Sequence, residues 1–172
     1  MASAKSSKPP GAIYKNVIVR NCTVKDIDKI RQFVNLCKPL TLHTPYTYYV
    51  LFTHFSDSCL VIEENNSIRG YISGIKSVSL KDTFFIWQIG VEKESRGKGC
   101  AYILIEKIMQ IARKQGCTKV QFTIEPDNDK SFNTFNNFAK KNNISMKKLS
   151  SLKFHDSLSQ ENGLEIVYEF TI

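Results

Sequence analysis

The sequence predicts an α+β fold, with one domain over residues 15–172 behind a disordered tail at 1–14. Three observations predict it. Segments of strand length and segments of helical period follow one another in the order β-α-α-β-β-β-α-β-α-β-β, without an internal repeat. Two apolar runs, 58–63 and 69–76, flank a polar turn at Glu64, Asn65, Asn66 and Ser67, so they read as a hairpin. A further run at 84–91, apolar except for Gln88 and Gly90, leads through a short loop into Arg96, Gly97, Lys98, Gly99, Cys100 and Ala101. That glycine-rich turn opens a long helix.

Val17, Ile18, Val19 and Arg20 make the first strand. Thr23 and Asp26 have capping-box spacing for a helix to about Cys37, with Ile27, Ile30, Phe33 and Val34 as its apolar stripe. Pro39 stops it, and 40–44 is a loop. Pro45 after Thr44 marks a second helix start, and 46–55 is helical and rich in aromatics. After the hairpin, 83–91 is a strand. The helix at 99–115 carries Ile103, Leu104, Ile108, Ile111 and Ala112 near a 3.6 period and ends at Gly116. Residues 119–124 are a strand, 126–130 a loop and 131–142 a helix. The remainder holds a strand near Met146, a loop over 150–162 and a last strand over 164–171.

At 42% hydrophobic and 11% aromatic, the chain can bury a real core. No run approaches the roughly 18 apolar residues of a membrane span. Residues 1–11 are rich in Ser, Lys and Pro and lack the apolar stretch of a signal peptide. A cytoplasmic protein without a membrane partner is expected. Cys22, Cys37, Cys59, Cys100 and Cys117 include no CxxC pair and read as reduced core thiols. His43, His54 and His155 are scattered, so no metal is expected. The net charge of +8 admits nucleic acid. The basic residues are dispersed, however, and equally suit a small polyphosphate ligand, so no nucleic-acid partner is expected.

A glycine-rich turn at a helix N-terminus offers backbone N–H groups and the positive end of the helix dipole. Arg96 and Lys98 add charge, which makes the turn a candidate phosphate or pyrophosphate site. It is no P-loop, because that motif has four residues between its glycines and then Gly-Lys-Ser/Thr. Nor is it the dinucleotide fingerprint, since Tyr102 stands where a third glycine is needed. What remains is Arg-x-x-Gly-x-Ala, formed by Arg96, Gly99 and Ala101. Gly90, inside a strand, reads as a bulge or close backbone approach, or as relief of crowding in the core.

On the Arg96, Gly99 and Ala101 pattern, the chain resembles the GNAT N-acetyltransferase superfamily. The resemblance implies the acyl-CoA N-acyltransferase fold: three layers, with a mixed, mostly antiparallel sheet flanked by helices. It implies acetyl-CoA as co-substrate, bound by Ile89, Gly90, Val91, Arg96, Gly97, Lys98, Gly99, Cys100, Ala101 and Asn128. It further implies a bulge in the fourth strand, splay from the fifth, and the Val91 N–H as oxyanion donor. The family tyrosine that protonates the leaving thiolate falls at Phe135, so that acid is missing here.

Further blocks narrow the resemblance. Tyr46, Thr47 and Tyr48; His54, Phe55, Asp57 and Cys59; Phe85, Ile86, Trp87 and Gln88; and Pro126, Asp127, Asn128 and Ser131 look like the diaminobutyrate acetyltransferase family of ectoine biosynthesis, an osmoadaptation pathway. That likeness implies a homodimer and acetylation of the terminal amine of L-2,4-diaminobutyrate. It places Val91, Tyr46 and Glu161 in catalysis, and Trp87, Tyr46, Thr41, His43 and Glu161 around the amine. Glu165 is the alternative carboxylate. There are departures: Thr41 and His43 stand where the family has Asp and Asn, and Gly163 lies in a segment that normally carries a His. His43 reads as a base acting through water or as part of a solvated loop. Another small amine such as lysine, a β-amino acid or a polyamine, a protein lysine, and a non-catalytic coenzyme A-binding module remain open alternatives.

Overall fold

The structure, a computed structural model, describes residues 17–158 and 161–172. The tail expected at 1–14 lies outside the described residues. The elements are β1 (Val17–Asn21), α1 (Ile27–Leu36), α2 (Pro45–His54), β2 (Cys59–Glu64), β3 (Ser67–Lys76), β4 (Thr83–Val91), α3 (Cys100–Lys114), β5 (Lys119–Ile124), α4 (Asp129–Asn142), β6 (Ser145–Asp156) and β7 (Glu161–Thr171). Their order is the one the sequence predicts.

One seven-stranded sheet runs β1-β2-β3-β4-β5-β7-β6. Every pairing is antiparallel except β4–β5. That parallel pairing is brief, matching only Thr83 to Lys119, Phe84 to Val120 and Phe85 to Gln121. Beyond it, β4 pairs only with β3 and β5 only with β7, so a gap opens between the two strands.

Alternation along the strands sorts two cores. Leu60, Ile62, Ile72, Phe84, Ile86, Val120, Phe122 and Phe170 face α3 and α4. Cys59, Val61 and Tyr71 point the other way, onto Ile30, Phe33 and Val34 of α1 and Tyr48, Leu51 and Phe52 of α2. The second core includes no residue of β5, β6 or β7, so α1 and α2 cover only the β1–β4 half of that face. The five cysteines are buried, and none of them is in a disulfide. Burial pushes the Cys59 thiol up to about 12.

Two local expectations are corrected. The loop expected over 150–162 is instead the far part of a long β6–β7 hairpin, paired from Ser145↔Thr171 to Asp156↔Glu161. Almost every β6 side chain is exposed, so no burial period marks the strand. Gly163 fits this hairpin because the Phe154 ring lies where its Cβ would be. The second correction concerns β4. Its irregularity against β3 falls where Ser73 pairs Gln88 and Gly74 pairs Ile86, which leaves Trp87 as the extra residue. Gly90 is paired with Tyr71 and is no bulge. A Cβ there would meet Leu40 Cδ1 at 2.8 Å and Phe33 Cε1 at 3.2 Å, so the glycine makes room for α1 and its following loop.

Candidate active site

The site is built around β4, with one half on each side of the strand. On the α3 side, the chain leaves β4 at Glu92, whose carboxylate accepts from Arg69 at 2.6 Å and from Ser95 at 3.3 Å. Gly97 and Gly99 follow with φ of +75° and +89°. A side-chain-bearing residue rarely adopts that region, and a Cβ on either glycine would meet nothing within 4 Å, so the glycines are demanded by conformation and not by crowding. Gly99 is the N-cap of α3, and its carbonyl accepts the Ile103 N–H at 3.0 Å. The N–H groups of Ala101 and Tyr102 precede that first intrahelical bond, so they open toward the turn. Helix start and positive dipole end thus meet at a turn that also carries Arg96 and Lys98.

The β4 edge beside the gap has its own polar groups. Glu92 N–H donates to Arg69 O at 2.9 Å. In an antiparallel ladder, alternate residues exchange bonds, so Gly90 exchanges with Tyr71, while Ile89 and Val91 turn their N–H and C=O groups away from β3. The Val91 carbonyl accepts from Arg96 Nε at 3.2 Å, in agreement. Its N–H therefore points into the gap between β4 and β5. Across the gap, Asn128 is the N-cap of α4, with Oδ1 accepting from Ser131 N–H at 3.1 Å. Its amide nitrogen is the end available to a ligand. Phe135 is buried and stacks on Phe122, with centroids 3.9 Å apart, so it contributes packing and no proton.

The other half faces α1 and α2. The bulge turns Trp87 and Gln88 to the same side, toward the loop between those helices. Gln88 Nε2 donates to Thr41 O at 2.7 Å, and the Tyr48 hydroxyl lies 3.5 Å from Gln88 Oε1. Trp87 Nε1 donates to His43 Nε2 at 3.0 Å, and Trp87 remains 41% exposed. Thr41, His43 and Trp87, all expected at the amine, are thus brought together. His43 itself is half-buried, within a loop whose Thr41, Leu42 and Thr44 are exposed and which is tied to β4. Burial holds its imidazole below the usual range. Tyr46 is placed differently: it is 73% exposed and stacks on Tyr49. The inward tyrosine is Tyr48, which sequence reasoning did not assign. Its sequence signals were the aromatic clustering of α2 and its place in the Tyr46, Thr47 and Tyr48 block.

Glu165 lies on the same face, beyond the gap. Phe170 and Tyr168 turn toward α3 and α4, so the odd-numbered neighbours in β7 face the uncovered side. One Glu165 carboxylate oxygen is buried and has no hydrogen-bond partner. Desolvation, with repulsion from Glu125, raises its pKa, against a lowering hydrogen bond from Thr123. A buried carboxylate oxygen without a partner is costly and suits a cationic ligand. Glu161 opens β7 opposite Asp156; its side chain lies outside the described part. Among the described residues, no group of three His, Cys, Asp or Glu could hold a metal ion, and no helix is long and apolar enough to cross a membrane.

A splayed pair of central strands beside a glycine-led helix start is the architecture of acyl-CoA N-acyltransferases. The acetyltransferase (GNAT) family profile matches residues 27–139, and the chain belongs to that family. Over 130 residues it is 33% identical to the L-2,4-diaminobutyric acid acetyltransferase of Chromohalobacter salexigens, covering 75% of this chain and 68% of that protein. Over 108 residues it is 36% identical to the enzyme of the same name from Wolinella succinogenes, covering 62% of each chain. Among solved structures, the diaminobutyrate acetyltransferase of Paenibacillus lautus, in complex with L-2,4-diaminobutyric acid and coenzyme A, superposes with a TM-score of 0.77 at 23% identity, over 91% of this chain and 95% of that one. Ard1 from Thermoplasma volcanium superposes at 0.72 with 19% identity, over 92% and 99%. At these identities the superpositions speak for the fold.

Proposed function

We propose that the protein transfers the acetyl group of acetyl-CoA to the terminal (N4) amine of L-2,4-diaminobutyrate, giving N4-acetyl-diaminobutyrate for ectoine biosynthesis. The observation that carries this reading is the 33% identity to the Chromohalobacter salexigens enzyme over three quarters of the chain. The site geometry supports it. Coenzyme A would lay its pyrophosphate on the turn from Arg96 to Ala101. Its pantetheine arm would enter the gap between β4 and β5, bonding to the outward groups of Ile89 and Val91 as an added strand would and passing Gly90, whose own N–H and C=O are spent on Tyr71, with the Asn128 amide on the far side. The thioester carbonyl would then meet the Val91 N–H.

Direct transfer follows from that placement. The neutral amine attacks the thioester carbon, and the tetrahedral oxyanion is stabilised by the preorganised Val91 N–H. The C–N bond forms, the C–S bond breaks, and the sulfur leaves as thiolate. With Phe135 in place of a hydroxyl, the proton shed by the amine returns to sulfur through solvent. The amine approaches from the α1–α2 face, with Trp87 walling its aliphatic chain and Thr41 and His43 on the loop above. Glu165 is our first choice for an ammonium group, because its unsatisfied oxygen is the group that a cation would complete. Glu161 is the second. Tyr46, exposed and stacked on Tyr49, takes no part in this reading.

The test is release of coenzyme A thiol from acetyl-CoA with a panel of L-2,4-diaminobutyrate, ornithine, lysine and putrescine, with NMR of the product. Diaminobutyrate should be preferred and acetylated at N4. A better rate with another amine would overturn the substrate and leave the reaction class standing. Tight acetyl-CoA binding without turnover of any amine would favour a binding module. Homodimerisation in the cytoplasm belongs to the same proposal. The exposed Leu149, Leu152, Phe154 and Leu164 of the hairpin supply apolar surface for a second copy, which sedimentation would detect.

A further inference from the structure

We propose that His43 is a positioning residue for the amine half of the reaction: as a neutral imidazole it accepts the Trp87 indole N–H and holds that ring as a fixed wall of the pocket. The inference rests on the amine pocket described above. Its basis is geometric. Trp87 Nε1 lies 3.0 Å from His43 Nε2, and the rings meet edge-on at 79° with centroids 5.8 Å apart. Indole N–H is a donor only, so Nε2 must keep its lone pair and the proton must sit on Nδ1.

Both partners are anchored. Gln88 Nε2 holds the Thr41 carbonyl at 2.7 Å, and Arg31 Nε reaches the His43 carbonyl at 3.4 Å. Trp87 is set by the β4 bulge. Several groups face His43: Arg31 from α1, Tyr48 from α2 with ring centroids 6.1 Å apart, Trp87 and Gln88 from β4, and Thr41 and Thr44 from its own loop. Arg31 is the charged member of that set, its Nε on the His43 carbonyl. Burial is what disfavours an imidazolium. With Nε2 engaged and Nδ1 protonated, His43 is not the base. On protonation, Nε2–H would oppose the indole N–H, donor against donor, and the indole would be released.

Trp87 is the chain's single tryptophan, so intrinsic fluorescence reports this contact without any substrate. Fluorescence and kcat/KM for diaminobutyrate should be titrated from pH 8 to 5 in the wild type, His43→Gln and His43→Leu. The wild type should show a fluorescence transition below pH 6.5, and its KM for the amine should rise in the same window. Glutamine supplies an acceptor that does not titrate, so His43→Gln should lose the transition and recover most of the activity lost in His43→Leu. Leucine should raise the amine KM roughly tenfold at every pH, with the KM for acetyl-CoA unchanged. The amine's own protonation affects all three proteins alike, so the ratio of their kcat/KM values isolates His43. A wild type without the transition, a transition that survives in His43→Gln, or a transition with no change in amine KM would each overturn the proposal. If no amine is turned over, the assigned reaction fails and the role of His43 falls with it, while fluorescence still decides the contact.

Discussion

The two halves of the site are made of different materials. The half proposed for coenzyme A is mostly backbone: positive-φ glycines at 97 and 99, the first turn of α3, and the β4 edge at Ile89 and Val91. The amine half is mostly side chain, assembled from the α1–α2 loop, the bulge in β4 and the middle of β7. Backbone recognition suits a ligand shared by a whole family, because hydrogen bonds from N–H groups survive sequence change. Side-chain recognition suits the partner that differs from enzyme to enzyme. The departures at Thr41 and His43 fall in the second half, while Gly163 lies in the outer part of the β6–β7 hairpin against Phe154.

The sharpest way to probe that contrast is Glu165→Gln. If Glu165 binds an ammonium group, kcat/KM for the amine should fall roughly ten- to a hundredfold while the KM for acetyl-CoA stays put. The same change should leave the free protein no less stable. A carboxyl whose folded pKa is raised makes its stabilising contribution at low pH and loses it as pH rises through the folded value, so at neutral pH the neutral amide removes a cost. Thermal melts at pH 4 and pH 7 check the sign: the variant should gain on the wild type at the higher pH. Equal loss of affinity for both substrates would blur the two halves into one.

The matching change on the other half is Gly99→Val. With φ at +89°, a β-branched residue must distort the turn, and coenzyme A affinity should fall at least tenfold, about 1.4 kcal/mol. Calorimetry is the measurement, and unchanged affinity would remove the turn from the site. Asp26 tests the support of the amine half. It is buried against Arg20 at 2.8 and 2.9 Å and accepts the Thr23 N–H at 2.8 Å, at the start of α1. The Arg20 hydrogen bonds, aided by Thr23, hold its pKa at about 2, below the usual 3.8. That stability is present above pH 3.8 and is lost as pH falls toward 2. Asp26→Asn should cost on the order of 1–2 kcal/mol in denaturant melts at pH 7, discounting for solvent at Arg20, and the deficit should shrink toward pH 2. The smallest effect is expected from Cys100→Ala. Direct transfer needs no thiol, so most activity should remain; its complete loss in a folded variant, with ping-pong kinetics, would argue for an acyl-cysteine intermediate.

The same contrast explains how much could be read in advance. Alternating and helical periods give the order of elements, because nearly all of the described strands and helices turn one face to a core. The exception is β6, exposed along nearly its whole length and therefore without a period. The glycine turn was legible because φ above zero selects glycine, and a helix start carries its dipole in any fold. Gly90 was legible as a special position but not as to kind. Only the packing of Leu40 and Phe33 against it distinguishes room for a helix from a bulge.

By itself, then, the sequence determined the local things: which segments are strands and helices, where the glycine turn that opens α3 lies, and that Phe135 brings no proton. Tertiary structure alone decided that Tyr48 and not Tyr46 turns inward, and that the bulge falls at Trp87. It also decided that the Trp87 indole meets His43, 44 positions away in sequence, and that one oxygen of Glu165 is left buried without a partner. The physical reason is range. Backbone torsion and periodic burial act over a few residues and are written in them. A side chain's direction and desolvation depend on which distant elements the sheet brings against it.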